Sequence, residues 1–140
     1  MVELREASLD DRELLGRLLA DYLLEFDGTT EPYKYFDAYW SEPERLPFLV
    51  EADGEVVGLC LVRVVGDAWH IAEFSVLPEK RRSGLGRAAV ENLAERARAA
   101  KASRLEAVVH PDNLQAFPFW LAAGFRIVSG PNPVVTGGGF

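Results

Sequence analysis

The sequence has 140 residues, 49% of them hydrophobic and 26% charged, with a formal net charge of −7. That composition suits one ordinary domain spanning residues 1–140 and excludes a disordered tail, and no apolar run approaches the ~20 residues that cross a bilayer. The acidic balance disfavours nucleic acid and would attract a cationic partner such as an amine.

Val2 and Leu4 alternate with Glu3 and Arg5, which predicts a short first strand. Ser8 and Asp11 carry a weak capping-box spacing. Leu14, Leu15, Leu18, Leu19, Tyr22, Leu23 and Phe26 then recur at three- and four-residue steps, predicting an amphipathic helix over 9–26 that breaks at Asp27-Gly28-Thr29-Thr30. Residues 31–45 crowd Tyr33, Tyr35, Phe36, Tyr39 and Trp40 between Pro32 and Pro43, consistent with a short second helix or a structured loop. Asp53-Gly54 between Phe48–Val50 and Val56–Val62 is a hairpin signal. Cys60, the single cysteine, lies in the second of these apolar runs and reads as a buried small hydrophobe in a reducing, cytoplasmic protein.

A turn at Gly66-Asp67 leads into a strand from Trp69 to Val76, which Pro78 ends. A helix from Gly86 to Ala100 follows, with Leu85, Ala89, Leu93, Ala97 and Ala100 along its apolar stripe. Leu105 to Val109 predicts a strand and Leu114 to Ala123 a short helix closed by Gly124. Phe125–Val128 and Val134-Val135 complete the pattern. Hairpins followed by a β-α-β unit predict an α/β (α+β) fold with a mixed sheet and helices on both faces.

The chemistry concentrates where the Trp69–Val76 strand ends. Arg81-Arg82-Ser83-Gly84-Leu85-Gly86-Arg87 is a basic, glycine-containing loop that opens a helix. A helix start carries amides without intrahelical partners and the positive end of the macrodipole, which together bind anions. Gly84 and Gly86 let a phosphate approach the backbone, and Arg81, Arg82 and Arg87 add charge, so a pyrophosphate suits the segment. No Gly-Lys-Ser/Thr closes a Walker A loop, and Ala89 occupies the third glycine position of a dinucleotide fingerprint.

Val76-Leu77-Pro78-Glu79-Lys80-Arg81-Arg82-Ser83-Gly84-Leu85-Gly86 resembles the central motif of the GNAT superfamily, Arg/Gln-x-x-Gly-x-Gly/Ala after a strand ending in Val-x-Pro. Asn113-Leu114-Gln115-Ala116-Phe117-Pro118-Phe119-Trp120-Leu121-Ala122-Ala123-Gly124-Phe125 is similar to that family's Asn-x-x-Ala-x-x-Phe-Tyr-x-x-x-Gly-Phe. The resemblance implies a mostly antiparallel central sheet of about six to seven strands and direct transfer of an acetyl group from acetyl-CoA to a primary amine of a small molecule or peptide. CoA is then the product, and no metal, membrane or nucleic acid is implied. The alternative is a non-catalytic acyl-CoA-binding or regulatory module. Many relatives complete their pocket by dimerising, so a homodimer is compatible with the resemblance.

The same resemblance assigns roles. The amides of Arg82, Ser83, Gly84, Leu85, Gly86 and Arg87 would bind the pyrophosphate, and Phe74, Ser75 and Val76 would pair with the pantetheine arm. The N–H of Val76 would stabilise the oxyanion. Asn113 matches a position that touches the cofactor arm, and equally suits an N-cap. Trp120 stands where the family often has a Tyr acting as general acid; it cannot donate a proton in that role, and with Phe119 it suits packing against the pantetheine or the core. Tyr22, Tyr33, Tyr35 and Tyr39 are unranked candidates for the acid.

For the general base, Glu73 and His70 compete on the same strand. Glu73 sits in a mainly apolar run, and the ordinary imidazole pKa of His70 suits the task. Strict alternation places the two on opposite faces unless a bulge intervenes. Glu25 and Asp27 are candidates to line an amine pocket, with Tyr33 and Tyr39 in one wall. The aromatic group at 33–40 equally fits a satellite cluster under a loop. His110 reads as structural.

Overall fold

The computed structural model describes residues 1–108, 117–128 and 134–137. Seven strands form one sheet: β1 (Val2–Glu6), β2 (Arg45–Ala52), β3 (Glu55–Val65), β4 (Ala68–Val76), β5 (Arg104–Val108), β6 (Arg126–Val128) and β7 (Val134–Gly137), in the order β1-β2-β3-β4-β5-β7-β6. Only β4 and β5 pair in parallel. The other described neighbours are antiparallel, with β2–β3 and β3–β4 as the hairpins that precede the β-α-β unit.

Among the described residues three α-helices cover the sheet: α1 (Arg12–Asp27), α2 (Leu85–Ala99) and α3 (Phe117–Ala122). Alternation along the strands divides the core into two layers. Leu4, Phe48, Val50, Cys60, Val62, Trp69 and Ile71 pack on one face against Val90, Leu93 and Ala97 of α2 and Trp120 of α3. Leu49, Leu59 and Leu61 face the other way, against Leu15 and Leu19 of α1 and against Tyr39. Truncating either of these buried α1 leucines to alanine would cost about 2–5 kcal/mol.

The α1 helix starts three residues later than its period predicts, because Leu9–Asp11 winds as a 3₁₀ turn. Ser8 N–H donates to Asp11 Oδ2 at 2.9 Å, and Arg5 donates to the same oxygen at 2.7 Å. Gly28, at φ 74°, ends the helix and donates to Leu24 C=O at 3.0 Å. The aromatic segment contains a 3₁₀ turn at Asp37–Trp40. Phe36 and Trp40 meet edge to face with centroids 5.8 Å apart, and Phe36, Trp40 and the buried Tyr39 pack with the α1-side core. The predicted start of the third helix at Leu114–Ala116 lies outside the described residues, as do Asn113 and His110.

One irregularity changes the functional reading. The β3–β4 register steps from Leu61 opposite Glu73 to Val62 opposite Ile71, leaving Ala72 as the extra residue of a bulge. Before it, Trp69 and Ile71 face the α2 side. After it, Phe74 does, and Glu73, opposite the α1-side Leu61, turns to the α1 side. His70, between Trp69 and Ile71, also faces the α1 side. The strict alternation that separates His70 from Glu73 is therefore broken.

Candidate functional site

Among the described residues the C-terminal end of β4 is open on one edge. β4 pairs with β3 up to Val76, whereas its last pair with β5 is Ile71 with Ala107. Among the described residues no strand pairs with Ala72–Val76 on that side. Leu77 N–H donates to Val57 C=O at 2.8 Å, which makes Gly58 and Val76 a non-hydrogen-bonded pair. The backbone groups of Val76 and Phe74 therefore point to the open edge, and those of Ser75 toward β3. The Val76 carbonyl accepts a bond from Arg81 Nε at 2.8 Å, while its N–H has no acceptor among the described residues.

Gly58 makes this close approach possible. A Cβ there would lie 2.2 Å from Ser75 O and 3.1 Å from Val76 Cα. Those are backbone atoms that no side-chain rotation relieves. A glycine inside a strand marks such an approach, a signal that the sequence carries at Gly58 and that the motifs above leave unused.

The loop after β4 begins with a 3₁₀ turn, Pro78–Lys80, in which Arg81 N–H donates to Pro78 C=O at 3.3 Å. The first α2 bond runs from Ala88 N–H to Gly84 C=O at 3.1 Å. Between them, among the described residues, the amides of Arg82, Ser83, Gly84, Leu85, Gly86 and Arg87 meet no acceptor. Arg82 (φ 63°) and Gly84 (φ 82°) take left-handed conformations, the alternation that turns successive amides into one concavity. A Cβ at Gly84 would meet nothing within 4 Å, so glycine serves the backbone angle there. Gly86 differs: its Cβ would lie 3.0 Å from Phe119 Cε1, so glycine there lets α2 pack on an aromatic ring, not on a phosphate as the sequence suggested.

The loop's side chains are arranged less simply than the sequence suggests. Arg81 is turned away from the amides. Its Nη1 and Nη2 grip Glu25 Oε2 and Oε1 at 2.8 and 2.7 Å, which corrects its assignment as added charge around a phosphate. Ser83 Oγ donates to Lys80 C=O at 2.6 Å, bracing the loop. Arg87 Nε lies 3.4 Å from Glu91 on the exposed face of α2. The Arg82 side chain is exposed and has no ion-pair partner among the described residues.

Phe74 and Phe119 stack with centroids 5.8 Å apart, and Trp120 meets Phe119 at 5.1 Å and Phe125 at 5.0 Å. Trp120 is buried in the α2-side core, so packing is its structural part.

On the other side of β4 lies a polar group of different character. Glu73 is partly buried, and burial is the main cause that raises its carboxyl to about 7. Asp27 at the end of α1 pushes the same way, against the Tyr33 hydroxyl. Burial, reinforced by the Glu73 carboxylate, also raises the Tyr22 and Tyr33 hydroxyls well above the ordinary tyrosine range. Glu73, Asp27, Tyr22 and Tyr33 are thus neighbours.

Three other candidates are placed elsewhere or already engaged. His70 lies six residues before Val76, roughly 20 Å along the strand, with Nδ1 3.7 Å from Glu106 Oε1. Tyr39 is buried beneath Arg45, whose guanidinium carbon stands 5.4 Å over its ring, and its ring packs with the α1-side core, while burial and, more weakly, Glu73 raise its hydroxyl. Glu25 is held bidentately by Arg81, which lowers its carboxyl.

A mixed sheet whose β4 end is unpaired on one edge among the described residues, beside a helix-opening loop whose amides meet no described acceptor, agrees with what sequence comparison finds. The acetyltransferase (GNAT) family profile matches residues 12–125. The chain belongs to that family, whose members transfer acetyl groups.

Solved structures share the fold at low identity. The PaiA N-acetyltransferase from Thermoplasma acidophilum in complex with coenzyme A superposes with a TM-score of 0.72 at 15% identity, covering 98% of each chain. An acetyltransferase from Thermus thermophilus gives 0.75 at 24%, covering 98% of this chain and 95% of its own. The spermidine N-acetyltransferase from Vibrio cholerae, in complex with CoA and spermine, gives 0.75 at 16%, covering 96% and 92%. No curated protein matches at a significant level. Among the described residues no helix is long and apolar enough to cross a membrane.

Proposed function

We propose that the chain is an acetyl-CoA-dependent N-acetyltransferase in which the amides of Arg82–Arg87 bind the pyrophosphate, Val76 N–H stabilises the developing oxyanion, and Glu73 is the general base. The observation that carries this is the row of partnerless amides beside the open edge of β4. Such an edge accepts an extended amide-bearing chain like pantetheine as an added strand, and the concavity suits a diphosphate in size and sign.

Acetyl-CoA supplies an acetyl group activated as a thioester. Glu73, with its carboxyl near 7, takes a proton from the incoming ammonium at neutral pH, directly or through one water. The amine nitrogen bonds to the carbonyl carbon, Val76 N–H meets the charge growing on the oxygen, and the carbon–sulfur bond breaks to release CoA. Because Trp120 is buried and has no acidic proton to give, the sulfur leaves as a thiolate or is protonated by solvent or a tyrosine. Beyond burial, Glu73 raises the hydroxyls of Tyr22, Tyr33 and Tyr39, which makes them the tyrosines beside it. Cys60 is buried and free, its thiol pushed up by burial, which supports direct transfer without an acyl-cysteine and a reducing, cytoplasmic setting.

The acceptor face presents Glu73 and Asp27, which supports a cationic amine. CoA release measured across a panel of polyamines, amino acids, aminoglycosides and peptides tests the proposal. Turnover on at least one amine is expected. Tight acetyl-CoA binding with no turnover on any would favour the non-catalytic module that Trp120 also allows.

A further inference from the structure

Arg81 joins three pieces of the molecule. Its guanidinium forks both carboxylate oxygens of Glu25 near the end of α1, and its Nε holds the outward carbonyl of Val76 at the end of β4. Its own backbone begins the loop whose next six residues, Arg82–Arg87, carry the unsatisfied amides. Glu25 is two residues from Asp27 and three from Tyr22, both of which influence Glu73 or are influenced by it. The pair is separated by 56 positions in sequence and is the one hydrogen-bonded ion pair between α1 and this loop among the described residues.

We propose that the Arg81–Glu25 pair is a positioning clasp that couples cofactor binding to the order of the acceptor wall formed by the last turn of α1. The proposal rests on the acetyl-CoA reading of the loop. Without an anion the loop amides are free, and Arg81 is the strut that links them to α1. Binding a diphosphate fixes the loop, fixes Arg81 through it, and so restrains Tyr22–Asp27 beside Glu73. Planar two-point geometry suits this, because a forked guanidinium transmits orientation where a lysine ammonium transmits only charge. Both side chains are almost half exposed, so breaking the pair should cost the fold little.

By linkage, what couples cofactor to wall couples acceptor to cofactor by the same factor.

Hydrogen exchange of the full chain with and without saturating acetyl-CoA tests this, in wild type, Glu25→Gln and Arg81→Lys. In wild type, acetyl-CoA is expected to slow exchange at least fivefold both in residues 82–88 and in residues 22–28. In the two variants the loop should keep its protection and the α1 terminus should lose it. Protection of the loop without the α1 terminus in wild type would overturn the clasp, as would α1 protection that survives in Glu25→Gln. If neither segment responds in wild type, the acetyl-CoA reading itself fails. If the loop loses protection in Glu25→Gln, the pair builds the cofactor site and does not couple it, which also overturns the clasp.

Discussion

The two sides of the β4 terminus are made of different material. The loop side is backbone: among the described residues, six amides without an acceptor, two left-handed residues and an open strand edge. The α1 side is made of side chains: Glu73, Asp27, Tyr22 and Tyr33, with Glu25 tied back to Arg81. Backbone amides offer the same donors whatever the residue, so such a site depends on a few conformational constraints such as Gly84. A site of side chains can be rewritten one residue at a time. On the proposed reading, that difference suits a cofactor on the loop side and an acceptor on the α1 side.

Breaking the backbone side should give the largest effect. Gly84→Glu puts a carboxylate at the cradle and should weaken acetyl-CoA binding on the order of 10³-fold, about 4 kcal/mol, by calorimetry. Its Cβ meets no neighbour, so a near-native circular dichroism spectrum is expected. Gly84→Ala carries the same backbone strain, about 1–2 kcal/mol, without the charge. Equal loss of affinity in both variants would show that conformation alone matters.

Breaking the side-chain side should spare the cofactor. Glu73→Gln should lower kcat about 10²-fold with acetyl-CoA affinity within twofold. Wild-type kcat/KM should rise with pH through a limb near 7, as the carboxyl becomes the base form, and the variant should lack that limb. An unchanged limb would assign the base elsewhere.

Gly58→Ala acts on both sides at once, since it forces Ser75 O and Val76 Cα away. A destabilisation of roughly 1–3 kcal/mol in urea titration is expected, with kcat falling more than acetyl-CoA affinity because Val76 N–H moves. A thermal midpoint and kcat equal to wild type would remove Val76 from the account.

The smallest effects concern protonation. Glu73 has a folded pKa raised from 4.5 to about 7, so the folded chain binds its proton more tightly than the unfolded chain does. Its ionisation is therefore a stability cost that grows as pH rises from about 4.5 to about 7. Glu73→Gln should raise the thermal midpoint more at pH 8 than at pH 4.5. Asp27→Asn removes a neighbouring negative charge and should shift the Glu73 limb to lower pH, by less than a unit. No shift would mean that Asp27 does not act on Glu73.

The sequence revealed the backbone side better than the side-chain side, for a physical reason. Glycines, a proline and a strand-to-helix transition are local, so the left-handed Gly84 and the helix-opening loop could be read from a dozen contiguous residues. The hairpin at Asp53-Gly54 and the α1 stop at Gly28 were legible on the same ground. The bulge at Ala72 was not, because it is a register event between two strands that leaves no local mark; it turned Glu73 onto the face of His70. The fork between Arg81 and Glu25 spans 56 positions and has no periodicity to betray it. Tyr39 shows the limit in the other direction: an aromatic-rich segment looks alike whether it lines a pocket or fills a core, and the packing of the Tyr39 ring under Arg45 leaves no mark in the sequence.

Amide-resolved NMR of the chain titrated with CoA, and separately with pantetheine, tests the loop most directly. If the amides of residues 82–87 hold the diphosphate, CoA should move those six resonances most, downfield, while pantetheine, which lacks the diphosphate, moves only residues 74–76. Loop resonances that stay in place at saturating CoA, or that respond equally to pantetheine, would contradict it.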